Sequence, residues 1–232
     1  MAVVLPVDNV ILSVPIIDTI HECSIQNKKR HRESCKDMTD IHTIFCKNVK
    51  CYLIASNNGY LLFDAGWPHQ YGLFKDRVRE LGISIKEITT FIVSHFHIDH
   101  AGLAGILTAN GKDFVVFENQ RKSLTEMENF IERKGYSYKK IDVDTIQIKS
   151  IDESSDWLKS LSIDGEVIQI YGHGDQNIVL LLDTGEAFIG DLPPEYNYDE
   201  TVRSDWNLLL KKGAKYIFPA HAEYFETKDM NS

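Results

Sequence analysis

No stretch of the chain approaches the roughly 18 apolar residues that a membrane-spanning helix needs; the nearest, Ile178 to Leu182, is cut off by Asp183. A secretory signal is not expected either. Residues 1–20 have no cationic start, carry Asp8 and Asp18, and are interrupted by Pro6 and Pro15. The expectation is a soluble, cytoplasmic chain with no membrane partner. Positive charge is also in short supply. Lys and Arg number 25 against 34 Asp and Glu, a formal net charge of −9, so no basic field exists to attract a phosphate backbone and nucleic acid is not an expected partner. One local exception, Lys28-Lys29-Arg30-His31-Arg32, reads as a solvated loop or as a contact for an anionic substrate.

Cysteine is scarce, and Cys23, Cys35, Cys46 and Cys51 include no Cys-x-x-Cys pair. With 232 residues the chain can bury a core without disulfide staples. Two readings of the cysteines stand: an accessory metal site together with His21 and His31, or reduced thiols, with Cys51 a small hydrophobe in an apolar strand. Low-complexity segments are absent. Apolar content of 43% and charged content of 25% are those of an ordinary globular enzyme or binding domain.

Strand-like and helix-like patterns alternate along the rest. Cys51–Ala55 and Tyr60–Phe63 are apolar runs split by Asn57-Asn58-Gly59, a hairpin signature. Helical spacing predicts helices over Phe74–Leu81, Ala101–Leu107, Leu124–Arg133 and Trp206–Lys212. Strands are predicted at Thr90–Ser94, Phe114–Phe117, Thr145–Ile148, Val167–Tyr171, Ile178–Leu182, Ala187–Ile189 and Tyr216–Phe218, with a turn at Asp183–Glu186. The least regular region is Ser24–Asp40. Mixed elements in both halves imply an α/β protein with sheets covered by helices, in one domain over 1–232. Both halves share a device: an apolar strand runs into His95 in the first, and Tyr216–Ala220 leads into His221 in the second. A site between the strand ends of two similar halves is expected.

Chemistry concentrates in Ser94-His95-Phe96-His97-Ile98-Asp99-His100-Ala101-Gly102. His95 and His97, two apart in extended chain, point the same way and can grip one metal. Asp99 and His100 stand where a helix begins and turn toward a second position, where a carboxylate is also favoured by the helix N-terminus. The alternative, a cluster of surface histidines, leaves that strand-to-helix placement unexplained.

This string resembles the signature of the metallo-β-lactamase superfamily, and four weaker motifs, one before it and three after it, stand in the order that family shows: Asp64-Ala65-Gly66, Gly172-His173-Gly174, Gly190-Asp191 and Pro219-Ala220-His221. The resemblance spans about Tyr52 to His221. It implies a four-layer αββα sandwich of two mixed β-sheets flanked by helices. It further implies two divalent metal ions, Zn²⁺ first, with Mn²⁺ or Fe²⁺ as alternatives. His95, His97 and His173 are then ligands of one ion, Asp99, His100 and His221 of the other, and Asp191 of both.

The implied activity is hydrolysis of a small ester, lactone, thioester or phosphoester by a metal-bridging hydroxide, with Asp99 passing a proton to the leaving group. Asp64 orients a ligand from behind or forms a structural turn. Tyr196, and Tyr198 beside it, correspond to a tyrosine that lactonases of the family use on the substrate carbonyl, although Pro193-Pro194 lengthens the spacing here; the alternative is surface aromatics.

Departures narrow the choice. Gly174-Asp175-Gln176-Asn177 stands where many members have Thr-Pro-Gly-Ser. True β-lactamases are usually exported and lack a bridging aspartate, so antibiotic hydrolysis is not expected. Glyoxalase II carries a further helical region, whereas eleven residues follow His221. The nucleases bring basic surface, and the flavodiiron proteins place glutamate where His97 stands. Lactone opening is the preferred reading. Phe45, Trp67, Tyr71, Tyr196, Tyr198 and Tyr224 are candidates for an apolar pocket wall, and the Cys23–Asp40 loop for a lid. Two alternatives stay open: a mononuclear iron oxygenase of thiols or persulfides using His95, His173 and Asp191, and a metal-binding protein without turnover.

Overall fold

The computed structural model describes residues 40–194 and 199–231, which belong to the unit Thr39–Ser232. The basic run 28–32, the group His21, Cys23, His31 and Cys35, the loop before residue 40, and Tyr196 and Tyr198 lie outside the described residues. No helix among the described residues is long and apolar enough to cross a membrane.

Continuous apolar runs explain the layering. In β2 (Val49–Ser56), β3 (Gly59–Phe63), β4 (Ile88–Ile92) and β5 (Asp113–Phe117), successive side chains go to opposite faces, and both faces are buried. Leu53, Leu62, Phe91, Phe114 and Val116 face outward to the helices α1 (Tyr71–Glu80), α2 (Ile98–Ala101), α3 (Ala104–Ala109) and α4 (Arg121–Lys134). Ile54, Leu61, Phe63, Ile92, Val115 and Phe117 face inward. They meet Val167 of β7 (Gly165–Ile170), Ile178, Leu180 and Leu182 of β8 (Asn177–Leu182) and Phe188 of β9 (Glu186–Gly190). The opposite face of that second sheet, Ile168, Val179, Leu181, Ala187 and Ile189, packs on Val202, Trp206 and Leu209 of α6 (Glu200–Lys211).

The result is helix, sheet, sheet, helix, as the resemblance implies. The first sheet runs β1-β2-β3-β4-β5-β6, with β1 (Ile41–Cys46) and β6 (Gln147–Lys149) at its edges; the second runs β11-β10-β9-β8-β7, with β10 (Tyr216–Pro219) and β11 (Phe225–Glu226). Both are mixed. The pairs β3–β4 and β9–β10 are parallel, so each sheet sends two adjacent strand ends in the same direction. This parallel pairing supplies the two halves of the site.

The hairpin at 57–59 is present, in the register Ser56↔Gly59. Several elements differ from expectation. The strand β1 is additional: half-buried His42 and Thr43 and an exposed Phe45 mask its alternation, and only Ile44 and Cys46 are fully buried. Another addition is α5 (Ser154–Ser160), whose two turns are too short to show a helical period. The helix α6 starts at Glu200 rather than Trp206. Asp199 caps it by accepting from the N–H of Thr201 at 2.7 Å, and a polar first turn hides the start. The helix expected over 101–107 is broken into α2 and α3 at Gly102. A Cβ there would lie 2.3 Å from Pro68 Cδ, and its N–H instead donates to Gly66 O at 2.8 Å.

Candidate metal centre

Most of the chemically active side chains stand just beyond a strand. Asp64 follows β3, His95 follows β4, His173 follows β7, Asp191 follows β9 and His221 follows β10; His97 caps α2, which carries Asp99 and His100. Two close approaches bring the halves together. Gly190 has φ 55, and a Cβ on it would lie 2.6 Å from both Cβ and Oγ of Ser94, so only glycine lets the chain before Asp191 touch the chain before His95. The N–H of Ile178 also donates to Ser94 O at 2.9 Å.

The seven residues fall into two groups with metal-ligand spacing: His95, His97, His173 and Asp191, and Asp99, His100 and His221, the ligand atoms of each group lying within 4.8 Å of one another. Asp191 faces both. Its Oδ2 lies 3.7 Å from Nε2 of His95 and of His173, while Oδ1 lies 3.2 Å from His100 Nε2 and 3.3 Å from His221 Nε2. Asp99 Oδ2 is 3.2 Å from His221 Nε2 and 3.8 Å from His100 Nε2.

Outer nitrogens are held by protein, leaving inner ones pointing into the cluster. His100 donates from Nδ1 to Asp64 Oδ2 at 2.8 Å, His95 from Nδ1 to Ser94 Oγ at 2.9 Å, and His221 from Nδ1 to the Asn48 carbonyl at 2.6 Å. Asp64 is fully buried, in the left-handed region at φ 66, and also accepts from Ser94 N–H at 2.7 Å and Ser94 O–H at 3.1 Å. Of the two expected roles, orienting a ligand from behind or forming a structural turn, its place behind His100 fits the first. Such carboxylate–histidine pairs fix ring orientation and raise ligand basicity.

Do these residues suit a metal? His95 Nε2, His100 Nε2 and Asp191 Oδ1 are buried without a hydrogen-bond partner, although the last two approach to 3.2 Å. Buried polar atoms are otherwise nearly always paired, and three converging on one point fit a cation. Nδ1 of His97 and Nε2 of His173 likewise meet at 3.3 Å.

The electrostatics agree. Burial, with the neighbouring histidines, holds His95 well below the ordinary imidazole range, and burial and His173 lower His97. Burial pushes Asp191 up, yet His100, His221 and His173 bring it below its usual value. These are the neutral imidazoles and ionised carboxylate that divalent metals take. His100 differs: burial pushes it down, but Asp64 and Asp191 raise it to about 10, so a metal entering there displaces a proton.

Several positioning residues went unrecognised in sequence. Asp205 of α6, 4% exposed, accepts from the N–H groups of Tyr171 and Gly172 at 2.8 and 2.6 Å and so holds the loop that carries His173. Gln120 donates to the carbonyl of Val93 at 2.9 Å, just before His95. The unusual loop Gly174–Asn177 is anchored to the first half, since Gln176 Oε1 accepts from Phe96 N–H at 2.9 Å and Asn119 Nδ2 donates to Asp175 O at 3.2 Å. Polar side chains that bind backbone across the fold leave no local motif, so only Ser94, inside the histidine string, offered a sequence signal.

Among the described residues, the four aromatic candidates Phe45, Trp67, Tyr71 and Tyr224 do not line the cavity of about 450 Å³ that opens beside His97 and Asp99. They lie elsewhere: Phe45 beside Lys50, Tyr71 against the outer helical core, Tyr224 on Phe218, and Trp67 donating from Nε1 to Asn48 Oδ1 at 2.9 Å. The cavity is bounded instead by α4 and the start of α2.

Fold and site together define an αββα protein with a His/Asp cluster of metal-ligand spacing at its strand ends. The chain belongs to the metallo-beta-lactamase superfamily, whose family model matches residues 45–221. No curated protein shows significant similarity to it.

Among solved structures it is similar to a metallo-beta-lactamase family protein from Thermus thermophilus, with 18% identity, 80% of this chain and 74% of that chain covered, and a TM-score of 0.62. It is also similar to the FEZ-1 metallo-beta-lactamase from Legionella gormanii, with 14% identity, coverage of 79% and 77%, and a TM-score of 0.57. An archaeal superfamily protein from Sulfolobus tokodaii has 15% identity, coverage of 84% of each chain, and a TM-score of 0.56. At such identities the likeness is one of fold alone.

Proposed function

We propose that the chain is a metal-dependent hydrolase that works with two divalent ions, zinc foremost, on a small ester, lactone, thioester or phosphoester. The observation that carries this reading is Asp191, whose two oxygens each face a different group of histidines. His95, His97 and His173 hold one ion in this reading, Asp99, His100 and His221 the other, and Asp191 both. Bound there, the ions supply Lewis acidity toward the scissile group and a water ionised near neutral pH.

The chain's own residues do the rest. Asp99 touches the cluster and also borders the cavity, which suits it to take up a proton and pass it to a leaving group. Ser94 is not a nucleophile, because its hydroxyl is buried and committed to Asp64 and His95. The mononuclear iron alternative would use only His95, His173 and Asp191. It would leave the second group, with the orphaned Nε2 of buried His100, without a purpose.

Elemental analysis followed by a panel of esters, lactones, thioesters and phosphodiesters tests the proposal. Two zinc or manganese per chain with turnover supports it. One iron with oxygen consumption replaces it by the oxygenase, and bound metal with no turnover replaces it by a binding role.

A further inference from the structure

The cavity beside the cluster has a volume of about 450 Å³, within the range of clefts that enclose small organic ligands. One wall is the start of α2, which brings His97 and Asp99 to its edge. The other is a face of α4, where Ser123, Glu126, Met127 and Phe130 fall at i, i+3, i+4 and i+7 and so project the same way. The floor is apolar, with Phe96 and Met127 only 3% and 4% exposed, and Phe130, at 39%, places a large ring at the rim. Among the described residues no lysine or arginine lines the cavity, and its acidic groups are Asp99 and Glu126. Lys122 pairs with Glu126 at 3.4 Å and Lys134 lies 5.8 Å from the Phe130 ring, both outside the lining.

Resting on the hydrolase reading above, we propose that this cavity receives an uncharged apolar arm of the substrate. The substrates are then neutral carboxylic esters or lactones with an alkyl or aryl arm, not phosphoesters or thioesters of anionic carriers. Each methylene moved from water onto such a floor strengthens binding about fourfold. An anionic arm would instead find no lysine or arginine among the described lining residues, and Glu126, whose partner Lys122 lies outside the lining, at its side.

The test uses the metal-loaded full chain and three p-nitrophenyl esters: acetate, octanoate, and an equally long acid ending in a free carboxylate. kcat/KM is expected to rise on the order of 1,000-fold from acetate to octanoate, which differ by six methylenes, and to fall for the carboxylate-ended ester. Phe130→Lys, at a helix position open to water, should cut the octanoate-to-acetate ratio about tenfold and raise the relative rate of the carboxylate-ended ester. General loss of structure would not produce that reversal. Equal kcat/KM across the three esters overturns the proposal and leaves the hydrolase reading standing. If no ester, lactone, thioester or phosphoester turns over, the hydrolase reading fails instead, and calorimetric titration with octan-1-ol then judges the cavity. Binding that Phe130→Lys abolishes supports the apolar site, and absence of binding to the unaltered protein removes it.

Discussion

The inner and outer walls of the cluster are built differently. His95 and His100 are 0% exposed, and their outer nitrogens are fixed by Ser94 and Asp64, themselves buried. His97 is exposed, and the side chains of His173 and His221 are 28% and 34% exposed. His173 owes its place to backbone that Asp205 holds, and His221 to a single bond with the Asn48 carbonyl. The inner wall is therefore set by the fold, with the Nε2 atoms of His95 and His100 buried and unpaired, whereas the outer wall is more open and held by fewer contacts. Asp191, 17% exposed at its side chain, joins the two.

That contrast can be attacked at several points. The largest effect is expected from Asp191→Ala, which removes the one group common to both sets of histidines. It should abolish turnover and reduce bound metal to less than one ion per chain, as read by elemental analysis. Full occupancy with undiminished rate would show that the bridge is misassigned.

Next comes Asp64→Asn, a residue that tolerates the left-handed backbone but sets an amide against the Nδ1–H of His100. Metal affinity at the second group should fall roughly 10–100-fold, while circular dichroism shows the fold retained.

pH provides a third handle on the inner wall. His100, raised to about 10 by its carboxylate neighbours, holds a proton across the neutral range that a metal must displace. Apparent affinity should therefore rise with pH, about tenfold per unit, and flatten above the His100 value. Calorimetry in buffers of different ionisation enthalpy counts the proton released. A pH-independent affinity would mean that His100 is already neutral.

The outer wall should respond more mildly. Asp205→Asn keeps an acceptor for the Tyr171 and Gly172 N–H groups but loses its charge, and should cost about tenfold in affinity at the first group. Hydrogen exchange at 171–174 should quicken in this variant while the 93–95 backbone stays protected. Smallest is Trp67→Phe, which frees the Asn48 side chain but leaves the Asn48 carbonyl on His221. A change of a few-fold at most is expected.

The same division separates what the sequence made legible from what it did not. Buried strands such as Thr90–Ser94 and Ile178–Leu182 announce themselves because both faces are apolar, and Asn57-Asn58-Gly59 is local turn chemistry. The His95–His100 string was readable because a strand end and a helix start place neighbouring residues on one site. Asp205 and Gln120 act on backbone far away in sequence, and Asn48 acts through a carbonyl that every residue has, so composition and spacing carry no trace of them. The cavity wall left no trace for a related reason: what borders His97 and Asp99 is a face of α4 carrying Met127 and Phe130, and only the docking of that helix against α2 brings it there.

The most direct test is anomalous X-ray scattering at the zinc edge from crystals grown with zinc. Two peaks roughly 3.5–4 Å apart are predicted. One should lie about 2.0–2.1 Å from nitrogens of His95, His97 and His173, the other at the same range from His100 and His221, with Asp191 touching both. A single peak, or zinc bound away from these residues, would contradict the account.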